Sequence, residues 1–481
     1  MLIVIIELLV VLLALYLGSR YGSLALGAIA GLGIAFLVFD HGLQPGTPPT
    51  DVIYIIIAAV TCAGVLQASG GMEWLVQIAE RLIRRHPRYI VFIAPLCTFF
   101  LTILVGTGHV MYTLMPIIID VCIKRGIRPV RPCSVASVAS MIAIVCSPIS
   151  AAVIAFSTIS HIYGFSISIP QVVAVTIPSC LAGIMAAALW NSRRKGFELV
   201  GDPRYQEFIA KQENYDYVYG KSDTVLDKKI SPEAKRAVYI FLSAIVIIVV
   251  LAFAQAVLPA HETVVAVKGA KDVLLPTGMT VTPQQLADAG IVMAGVTVKE
   301  AVTIKMYLVI QIILITAAAL MIIFCRVRPK AAVAGNVWQS GMVAVVAIYG
   351  IAWLANTFFG AHMEEIKGLL GTMVSEYHWT VALMFFVFSV LINSQGAVLV
   401  SLLPVAYALG IPGWVLLGVL PCAYGYFFIP NYPTDIATVN MDRTGTTKIG
   451  RFVLNHSFMV PGLISVVVST VVCYTLAYLF F

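Results

Sequence analysis

Long apolar stretches separated by short polar loops dominate this sequence. A membrane-spanning helix needs about 20 mostly apolar residues, so the pattern predicts an all-α polytopic membrane protein. The predicted spans are 2–17, 22–39, 52–69, 89–123, 133–163, 169–190, 236–258, 306–325, 337–358, 378–409, 411–441 and 456–481. The first stretch lacks a cationic start and a small-residue cleavage site, so we interpret it as a span and not as a signal peptide.

Two of these spans contain a polar, glycine-containing break. The first break is Gly106–His109, and the second is Ser394–Gly396. In each copy a glycine precedes a proline by eight residues, and a hydroxyl residue lies three before that proline. Lipid cannot satisfy the backbone groups that a break leaves open, so the break must line a cavity or pack against protein. Paired breaks in two halves of a chain indicate the binding site of a transporter.

The cationic loops predict the orientation of the spans, because such loops stay in the cytoplasm. Clusters on both sides of 89–123 require this span to return as a hairpin, with arms of about 17 residues, at or below the usual minimum for a full crossing. The second hairpin, 378–409, then opens from the outer side, so the two breaks have opposite orientations. Both termini are predicted to lie outside. The clusters are Arg81, Arg84, Arg85 and Arg88, then Lys124, Arg125, Arg128 and Arg131, then Arg193, Arg194 and Lys195, then Arg326, Arg328 and Lys330, and finally Arg443, Lys448 and Arg451.

An inverted repeat with two re-entrant hairpins follows from these matches. An amphipathic stretch precedes each hairpin, although either stretch alone could be an ordinary loop helix. Their apolar faces are Leu75, Ile78, Ala79 and Leu82 in the first half and Met363, Ile366, Leu370 and Met373 in the second. The predicted domains are peripheral N-terminal helices (1–50), a first repeat (51–190), a cytoplasmic linker (191–235), helices with a periplasmic insertion at 259–305 (236–330), and a second repeat (331–481).

Composition and charge narrow the function classes. The chain is 60% hydrophobic and 11% charged, against about 25% charged residues in soluble domains, which supports a membrane protein. The net charge of +7 lies largely in loops between spans, so we expect no nucleic-acid partner. The nine cysteines form no CxxC or Cys/His cluster, and we predict no metal and no cofactor. Without an HExxH, catalytic-triad, paired-carboxylate or Walker pattern, we expect neither an enzyme nor ATP-driven transport.

The breaks supply groups that bind anions. The N-terminus of a helix carries roughly half a positive charge and exposed N–H groups. Such termini are predicted after Gly108 and Gly396, and two more follow the breaks at Ser147-Pro148 and Tyr432-Pro433. Facing ends from two halves would suit a small dianion with a carboxylate at each end. Nearby hydroxyls and amides can donate hydrogen bonds, or each can merely cap a helix. They are Thr107, Ser147, Ser150, Asn393, Ser394, Gln395, Tyr432 and Thr434.

Two titratable residues lie beside the breaks. Asp435 is a carboxylate within an apolar span, a costly placement that is usually functional. It could be a helix N-cap, a proton or cation site, or the partner of Arg443 or Lys448, which could equally be cytoplasmic anchors. His109 could be a proton donor, a substrate ligand, or an interior histidine bonded to backbone.

Several longer motifs support a family resemblance. The sequence resembles the Dcu family of anaerobic C4-dicarboxylate transporters of Gram-negative bacteria over nearly its whole length, apart from a longer 259–305 insertion. It is most similar to the DcuB branch, through Leu66–Gly71 and Tyr217–Gly220. The family motifs are Gly106–Val110, Ser147–Ser150, Asn393–Gln395, Pro433–Asp435, Asp442–Thr447, Ile449–Phe452 and Asn455–Phe458.

The resemblance implies an inner-membrane exchanger of fumarate, malate or aspartate against succinate in anaerobic respiration. It also implies an elevator-like fold similar to the ion-transporter superfamily, and a membrane sensor kinase as a partner of some members. A homodimer is a further expectation. Val390 and Asn431 depart from the expected pattern at positions tied to that regulatory role. The predicted substrate site is Gly106, Thr107, Gly108, His109, Ser147, Ser150, Asn393, Ser394, Gln395, Gly396, Tyr432, Thr434 and Asp435. The alternatives are a Na⁺- or H⁺-coupled dicarboxylate symporter and a dicarboxylate-binding co-sensor.

Overall fold

Helices dominate the described part of the chain. The structure is a computed structural model and describes all residues except 1, 22–23, 49, 166, 195, 197, 202, 220–223, 255–256, 267–272, 275–279, 290, 294, 305, 363, 366–377, 431 and 453. Within this described part, seven helical segments are long and apolar enough to cross a membrane, or eight if a pair bent by 72° is counted as one span. The prediction of an all-α polytopic membrane protein is therefore confirmed.

The first half contains nine helices among its described residues. They are α1 (Leu2–Tyr21), α2 (Ala25–Ala35, continued by a π-helical turn Phe36–Asp40), α3 (Thr50–Ala68), α4 (Gly71–Arg85), α5 (Ile90–Val105), α6 (Met111–Lys124), α7 (Val130–Ile142), α8 (Ala151–Ile162) and α9 (Ile169–Arg193). The bend between α3 and α4 occurs at Gly70, whose φ of 79° suits glycine. On α4, Leu75 and Ala79 are buried, whereas Ile78 and Leu82 are exposed.

The described middle of the chain holds three short helices, a long helix and two small β-sheets. These elements are α10 (Pro203–Ile209), α11 (Gln212–Tyr219), α12 (Pro232–Phe253), β1 (Ala260–Ala266), β2 (Val273–Leu274), β3 (Thr280–Val281), α13 (Pro283–Asp288) and β4 (Thr297–Thr303). Strand β1 pairs antiparallel with β4, and β2 pairs antiparallel with β3. The segment predicted as a cytoplasmic linker contacts α4, where the Glu80 carboxylate accepts hydrogen bonds from Thr224 Oγ1 and the Val225 N–H.

The second half repeats the alternation of long and interrupted helices. Its described elements are α14 (Met306–Phe324), α15 (Pro329–Ala334), α16 (Asn336–Ala361), α17 (Thr380–Ile392), α18 (Gln395–Ala408), α19 (Gly413–Gly418), α20 (Pro433–Met441) and α21 (Met459–Phe480). The predicted apolar face of the second amphipathic stretch lies outside the described residues, because this face consists of Met363, Ile366, Leu370 and Met373.

The ion pair between Arg84 and Asp120 shows how the first broken span folds. Arg84 lies at the end of α4, just before α5 begins, and Asp120 lies near the end of α6. Nη2 of Arg84 and Oδ2 of Asp120 are 3.2 Å apart. A straight path through α5 and α6 would separate their far ends by about 45 Å at 1.5 Å per residue. Because these ends meet, α5 and α6 fold back on each other as a hairpin.

The cationic loops lie close together. The N–H of Leu199 donates to the carbonyl of Gly126 at 2.6 Å, and the N–H of Val130 donates to Oγ1 of Thr446 at 3.3 Å. The loops that follow α6, α9 and α20 are therefore on one side of the protein. This is the arrangement that the positive-inside rule requires of cytoplasmic loops.

Glycine allows α2 and α16 to pack at backbone contact, an arrangement that is common between membrane helices. A Cβ atom on Gly27 would lie 2.0 Å from the Val346 carbonyl oxygen, and one on Gly350 would lie 2.1 Å from the Gly27 carbonyl oxygen. Helix α2, predicted to be peripheral, therefore packs directly on α16.

We expect Gly27→Val to destabilise the protein, because the valine side chain would push α2 away from α16. Gly31→Val is the matched control, since a Cβ atom on Gly31 meets nothing within 4 Å. Thermal unfolding in detergent should show a midpoint several degrees lower for Gly27→Val and close to wild type for Gly31→Val. Equal midpoints for the two variants would contradict the close α2–α16 contact.

Candidate functional site

The first break is formed by a left-handed glycine followed by an extended residue. Helix α5 ends at Val105 because Gly106 has a φ of 78°, and the Gly106 N–H donates to the Thr102 carbonyl at 2.7 Å. Thr107 is extended, with φ of −140° and ψ of 147°, and Gly108–Val110 form a 3₁₀ turn that leads into α6. The chain thus reverses direction in a few residues.

The second break uses the same backbone conformations. Asn393 has a φ of 55°, which asparagine tolerates better than most residues. Ser394 is extended and caps α18, its hydroxyl accepting a hydrogen bond from the Ala397 N–H at 3.4 Å. By backbone conformation, Gly106 therefore corresponds to Asn393, and Thr107 corresponds to Ser394. This alignment of the two breaks differs by one residue from the alignment based on the glycine-to-proline spacing, which pairs Gly108 with Gly396.

Both hairpin tips meet the broken helix pair α7–α8. Nε2 of Gln395 donates to the Met141 carbonyl at 2.8 Å, and a Cβ atom on Gly108 would lie 2.4 Å from Met141 Sδ. On the other side of this break, a Cβ atom on Gly106 would lie 2.9 Å from Cγ1 of Ile149, and one on Gly396 would lie 3.3 Å from Cβ of Ala151. The break between α7 and α8 therefore lies between the two hairpin tips and contacts both.

A cavity of about 840 Å³ lies at this meeting point. Its wall includes residues of α1, α3 and α16 in addition to the hairpin tips and the start of α8. Nine of the thirteen residues predicted for the substrate site line it, namely Gly106, Thr107, Gly108, His109, Asn393, Ser394, Gln395, Gly396 and Tyr432.

Four helix N-termini converge on the cavity. The lining residues at these termini are Gly108 and His109 before α6, Ala151 and Ala152 of α8, Gln395 and Gly396 of α18, and Pro433 of α20. None of the described lining residues is Lys, Arg, Asp or Glu. At roughly half a charge per terminus, the backbone dipoles together supply about two positive charges. The cavity therefore suits a dianion without a cationic side chain.

Several polar atoms of the wall have no hydrogen-bond partner within the described part of the chain. They are Thr107 Oγ1, His109 Nδ1, Asn393 Oδ1 and Gln395 Oε1. The His109 ring stacks on Tyr112, with the ring centres 5.8 Å apart. Buried polar groups are normally hydrogen-bonded, so these atoms are available to bind a polar ligand. Thr107 can donate to a carboxylate, while the amide oxygens can accept from a hydroxyl or amino group.

The other four predicted site residues lie behind the cavity wall. Ser147 donates to the Ile103 carbonyl at 2.7 Å, and Ser150 caps α8 by accepting from the Val153 N–H at 3.2 Å. Thr434 and Asp435 are buried near the start of α20. These residues support the breaks in this structure and do not line the cavity.

Asp435 is hydrogen-bonded to another helix. Its Oδ1 accepts a hydrogen bond from Ser137 Oγ of α7 at 2.7 Å. The residue is buried, with 1% of its surface exposed. Asp435 therefore ties α20 to α7.

Sequence reasoning missed Tyr426 as part of the wall. Its hydroxyl accepts from Gln395 Nε2 at 3.4 Å, and its ring centre lies 4.6 Å from that of Tyr432. Tyr426 lies in the glycine-containing run Tyr424–Tyr426, shortly before the break at Pro430. This position could have identified it as a candidate residue of the cavity wall. Tyr16 and Ser340 also line the cavity, but they lie on uninterrupted apolar helices and carried no such signal.

A membrane protein whose broken helices surround a buried cavity has the architecture of a secondary transporter. The sequence belongs to the family described as "Anaerobic c4-dicarboxylate membrane transporter", which it matches over residues 3–481. Family membership confirms the resemblance inferred from the motifs, and it confirms that the chain is a transporter and not an enzyme.

Named relatives agree with this assignment. The chain is 42% identical to the anaerobic C4-dicarboxylate transporter DcuB of Escherichia coli O6:H1 over 469 residues, 97% of this chain and 96% of that protein. It is 34% identical to the C4-dicarboxylate transporter DcuA of Wolinella succinogenes over 475 residues, 98% of each. A solved structure of Neisseria gonorrhoeae MtrF covers 99% of this chain and 94% of the other, at 13% identity and a TM-score of 0.49.

Proposed function

We propose that the protein exchanges C4-dicarboxylates across the bacterial inner membrane, bringing in fumarate, malate or aspartate and releasing succinate during anaerobic growth. The observation that carries this proposal is the convergence of four helix N-termini on one cavity whose lining, in the described part of the chain, contains no Lys or Arg. About two positive charges from the dipoles match the two negative charges of such a substrate. Family membership supports the same substrate class.

The two tips are the recognition elements of the proposed site. One carboxylate would accept hydrogen bonds from Thr107 and from the N–H groups of the turn at Gly108. The other would meet Ser394 and the first N–H groups of α18. Asn393 Oδ1 and Gln395 Oε1, which lack partners among the described residues, would accept from the hydroxyl of malate or the amino group of aspartate. The remaining wall is largely apolar and would exclude larger charged solutes.

The same electrostatics favour exchange over one-way movement. Without substrate, several positive helix ends face a shared cavity, and moving such a carrier through the membrane is costly. A bound dianion neutralises these ends, so the loaded carrier should reorient faster than the unloaded one. We propose an elevator-like movement of the two hairpins. The cationic loops would face the cytoplasm and both termini the periplasm.

Counterflow in proteoliposomes tests the exchange mode. Vesicles loaded with succinate should take up labelled fumarate several-fold faster than vesicles loaded with an impermeant buffer. Succinate semialdehyde, which has a single carboxylate, should accelerate uptake much less. Equal uptake with and without internal succinate would refute exchange while leaving dicarboxylate binding open.

Cation-coupled symport is a second candidate, favoured by the buried carboxylate of Asp435. Beside it, Thr434 Oγ1 has no partner among the described residues, so an additional proton or Na⁺ could be accommodated. An imposed Na⁺ or H⁺ gradient should then drive fumarate into vesicles that contain no dicarboxylate. Uptake that follows the gradient and is lost in Asp435→Asn would support symport over exchange.

A further inference from the structure

Glu7 is a buried carboxylate held between histidines from two other parts of the chain. Its Oε1 lies 2.6 Å from Nδ1 of His41, which follows the π-helical turn after α2. Its Oε2 is hydrogen-bonded to Nε2 of His362, at the C-terminal end of α16. Glu7 is 1% exposed, whereas 19% of the His41 side chain is exposed. Carboxylates within apolar membrane helices are costly and usually functional.

These three residues, which we name the outer latch, lie on the face opposite the cationic loops. Helix α1 runs from Glu7 toward Arg20, and α16 begins after the cationic stretch that ends at Lys330 and runs toward His362. Under the orientation predicted from charge, the latch is therefore at the periplasmic side. Partial exposure of His41 gives it access to protons from that side.

The outer latch can bind a proton. With both histidines neutral, the buried cluster carries one negative charge. A proton on His41, the more exposed of the two histidines, neutralises the cluster and turns the hydrogen bond between His41 and the Glu7 carboxylate into an ion pair. Histidine is the side chain that ordinarily titrates between about pH 5 and 8.

Among the residues that the structure describes, the other charged groups that contact the latch are carboxylates. Oδ2 of Asp40 lies 3.7 Å from Nε2 of His41, and Oε2 of Glu365 lies 4.0 Å from Nδ1 of His362. Glu364 neighbours Glu365 in sequence. Helix α2 and hairpin arm α17, which pack on α1, contain no titratable residue in Ala25–Ala35 or Thr380–Ile392. The histidines are thus the groups of the latch that can become positively charged.

The latch joins two helices that also form walls of the cavity. Tyr16 of α1 and residues from Val337 to Ile348 of α16 line it. Beyond Ile348, α16 continues for about 20 Å, at 1.5 Å per residue, before it reaches the latch. On α3 the lining begins at Ile56, although the helix begins at Thr50. The segments of α1 and α16 between the cavity and the latch therefore do not line the cavity.

We propose that the outer latch is a proton-binding site that holds the periplasmic entrance closed when protonated and releases it when the proton leaves. This inference rests on the proposed function, because it assumes that the cavity opens alternately to both faces. For the outer entrance to open, the ends of α1 and α16 must separate. A neutral latch held by an ion pair resists that separation more than a latch with excess negative charge.

The experiment is labelled fumarate entry into right-side-out membrane vesicles that contain succinate, with internal pH buffered and external pH varied from about 5.5 to 8. At each pH, the fumarate entry rate of the wild type is divided by that of Glu7→Gln. Because the ionisation of fumarate affects both rates equally, it does not change this ratio. We expect a ratio near one at the highest external pH. At the lowest external pH the ratio should be several-fold lower, because only the wild type has the protonated latch. His41→Gln should give the same trend, and Glu365→Gln should retain the wild-type profile.

The outcomes separate the latch from transport itself. A constant ratio across the pH range, or a ratio that rises in acid, would overturn the proposal while exchange stands. If Glu7→Gln does not fold, His41→Gln decides, and a wild-type profile in that variant would overturn the proposal. Absence of succinate-stimulated entry in wild type at every pH would instead count against the proposed exchange function.

Discussion

Gly106→Ala should reduce fumarate exchange by at least about tenfold, because the first hairpin tip depends on a conformation that alanine resists. Gly106 has a φ of 78°, and a Cβ atom there would lie 2.9 Å from Cγ1 of Ile149. The left-handed conformation alone costs alanine roughly 1–2 kcal/mol, and relief of the contact would displace Thr107 and the start of α6. Exchange rates in proteoliposomes, normalised to reconstituted protein, measure the effect.

Gly410→Ala is the matched control for backbone strain. Gly410 has a φ of 81°, but a Cβ atom there meets nothing within 4 Å, and the residue is not part of the cavity wall. Alanine at this position should destabilise the protein through the same kind of backbone strain as in Gly106→Ala. The exchange rate of Gly410→Ala should remain close to that of the wild type. If both variants lose exchange equally, strain in general is responsible and the tip has no special role.

Thr107→Val should raise the KM for fumarate about 10- to 100-fold. The substitution keeps the shape of the side chain and removes a hydroxyl that has no partner within the described residues. A hydrogen bond to a charged group contributes about 1.5–3 kcal/mol, and tenfold in affinity corresponds to about 1.4 kcal/mol. Initial rates over a range of fumarate concentrations give the KM.

Thr102→Val controls for the loss of a buried hydroxyl. Thr102 lies on α5, the hairpin arm that leads to the tip. Its Oγ1 also lacks a hydrogen-bond partner among the described residues, and it does not line the cavity. We expect little change in KM for this variant. An equal change in both variants would place the effect in helix packing and not in substrate binding.

Ser394→Ala should weaken transport less than Thr107→Val. Its hydroxyl already accepts from the Ala397 N–H, so part of its role is to cap α18, which contributes about 1 kcal/mol to stability. A smaller rise in KM, together with a lower unfolding temperature, is the expected result. A larger KM effect than that of Thr107→Val would make the second tip the dominant one.

Most of the helical architecture could be predicted because apolar length and charge act locally. A stretch such as 169–190 must form a helix in lipid, where each backbone group needs an internal partner, and α9 covers Ile169–Arg193. The cationic residues on both sides of 89–123 predicted that this span returns as a hairpin. In the structure, the contact between Arg84 and Asp120 brings the two ends of α5 and α6 together.

The candidate site was only partly predictable. Glycine and proline mark the positions where a helix is interrupted, so the sequence identified residues of both hairpin tips. Ser147 and Ser150 have the same chemistry and lie at another break, yet their hydroxyls bond to nearby backbone. Which way a side chain points near a break depends on the elements that pack against it. Local sequence does not contain that information.

By itself, the sequence determined the class of protein, its helices, its two breaks and its family, because these follow from apolar length, from residues that interrupt helices and from long motifs. Only the tertiary structure decided which groups meet. It brought four helix N-termini to one cavity and added Tyr16 and Tyr426 to its wall. It also joined Glu7 with His41 and His362, residues separated by up to 355 positions. Such contacts depend on how helices pack against each other, and that packing is set by the whole chain.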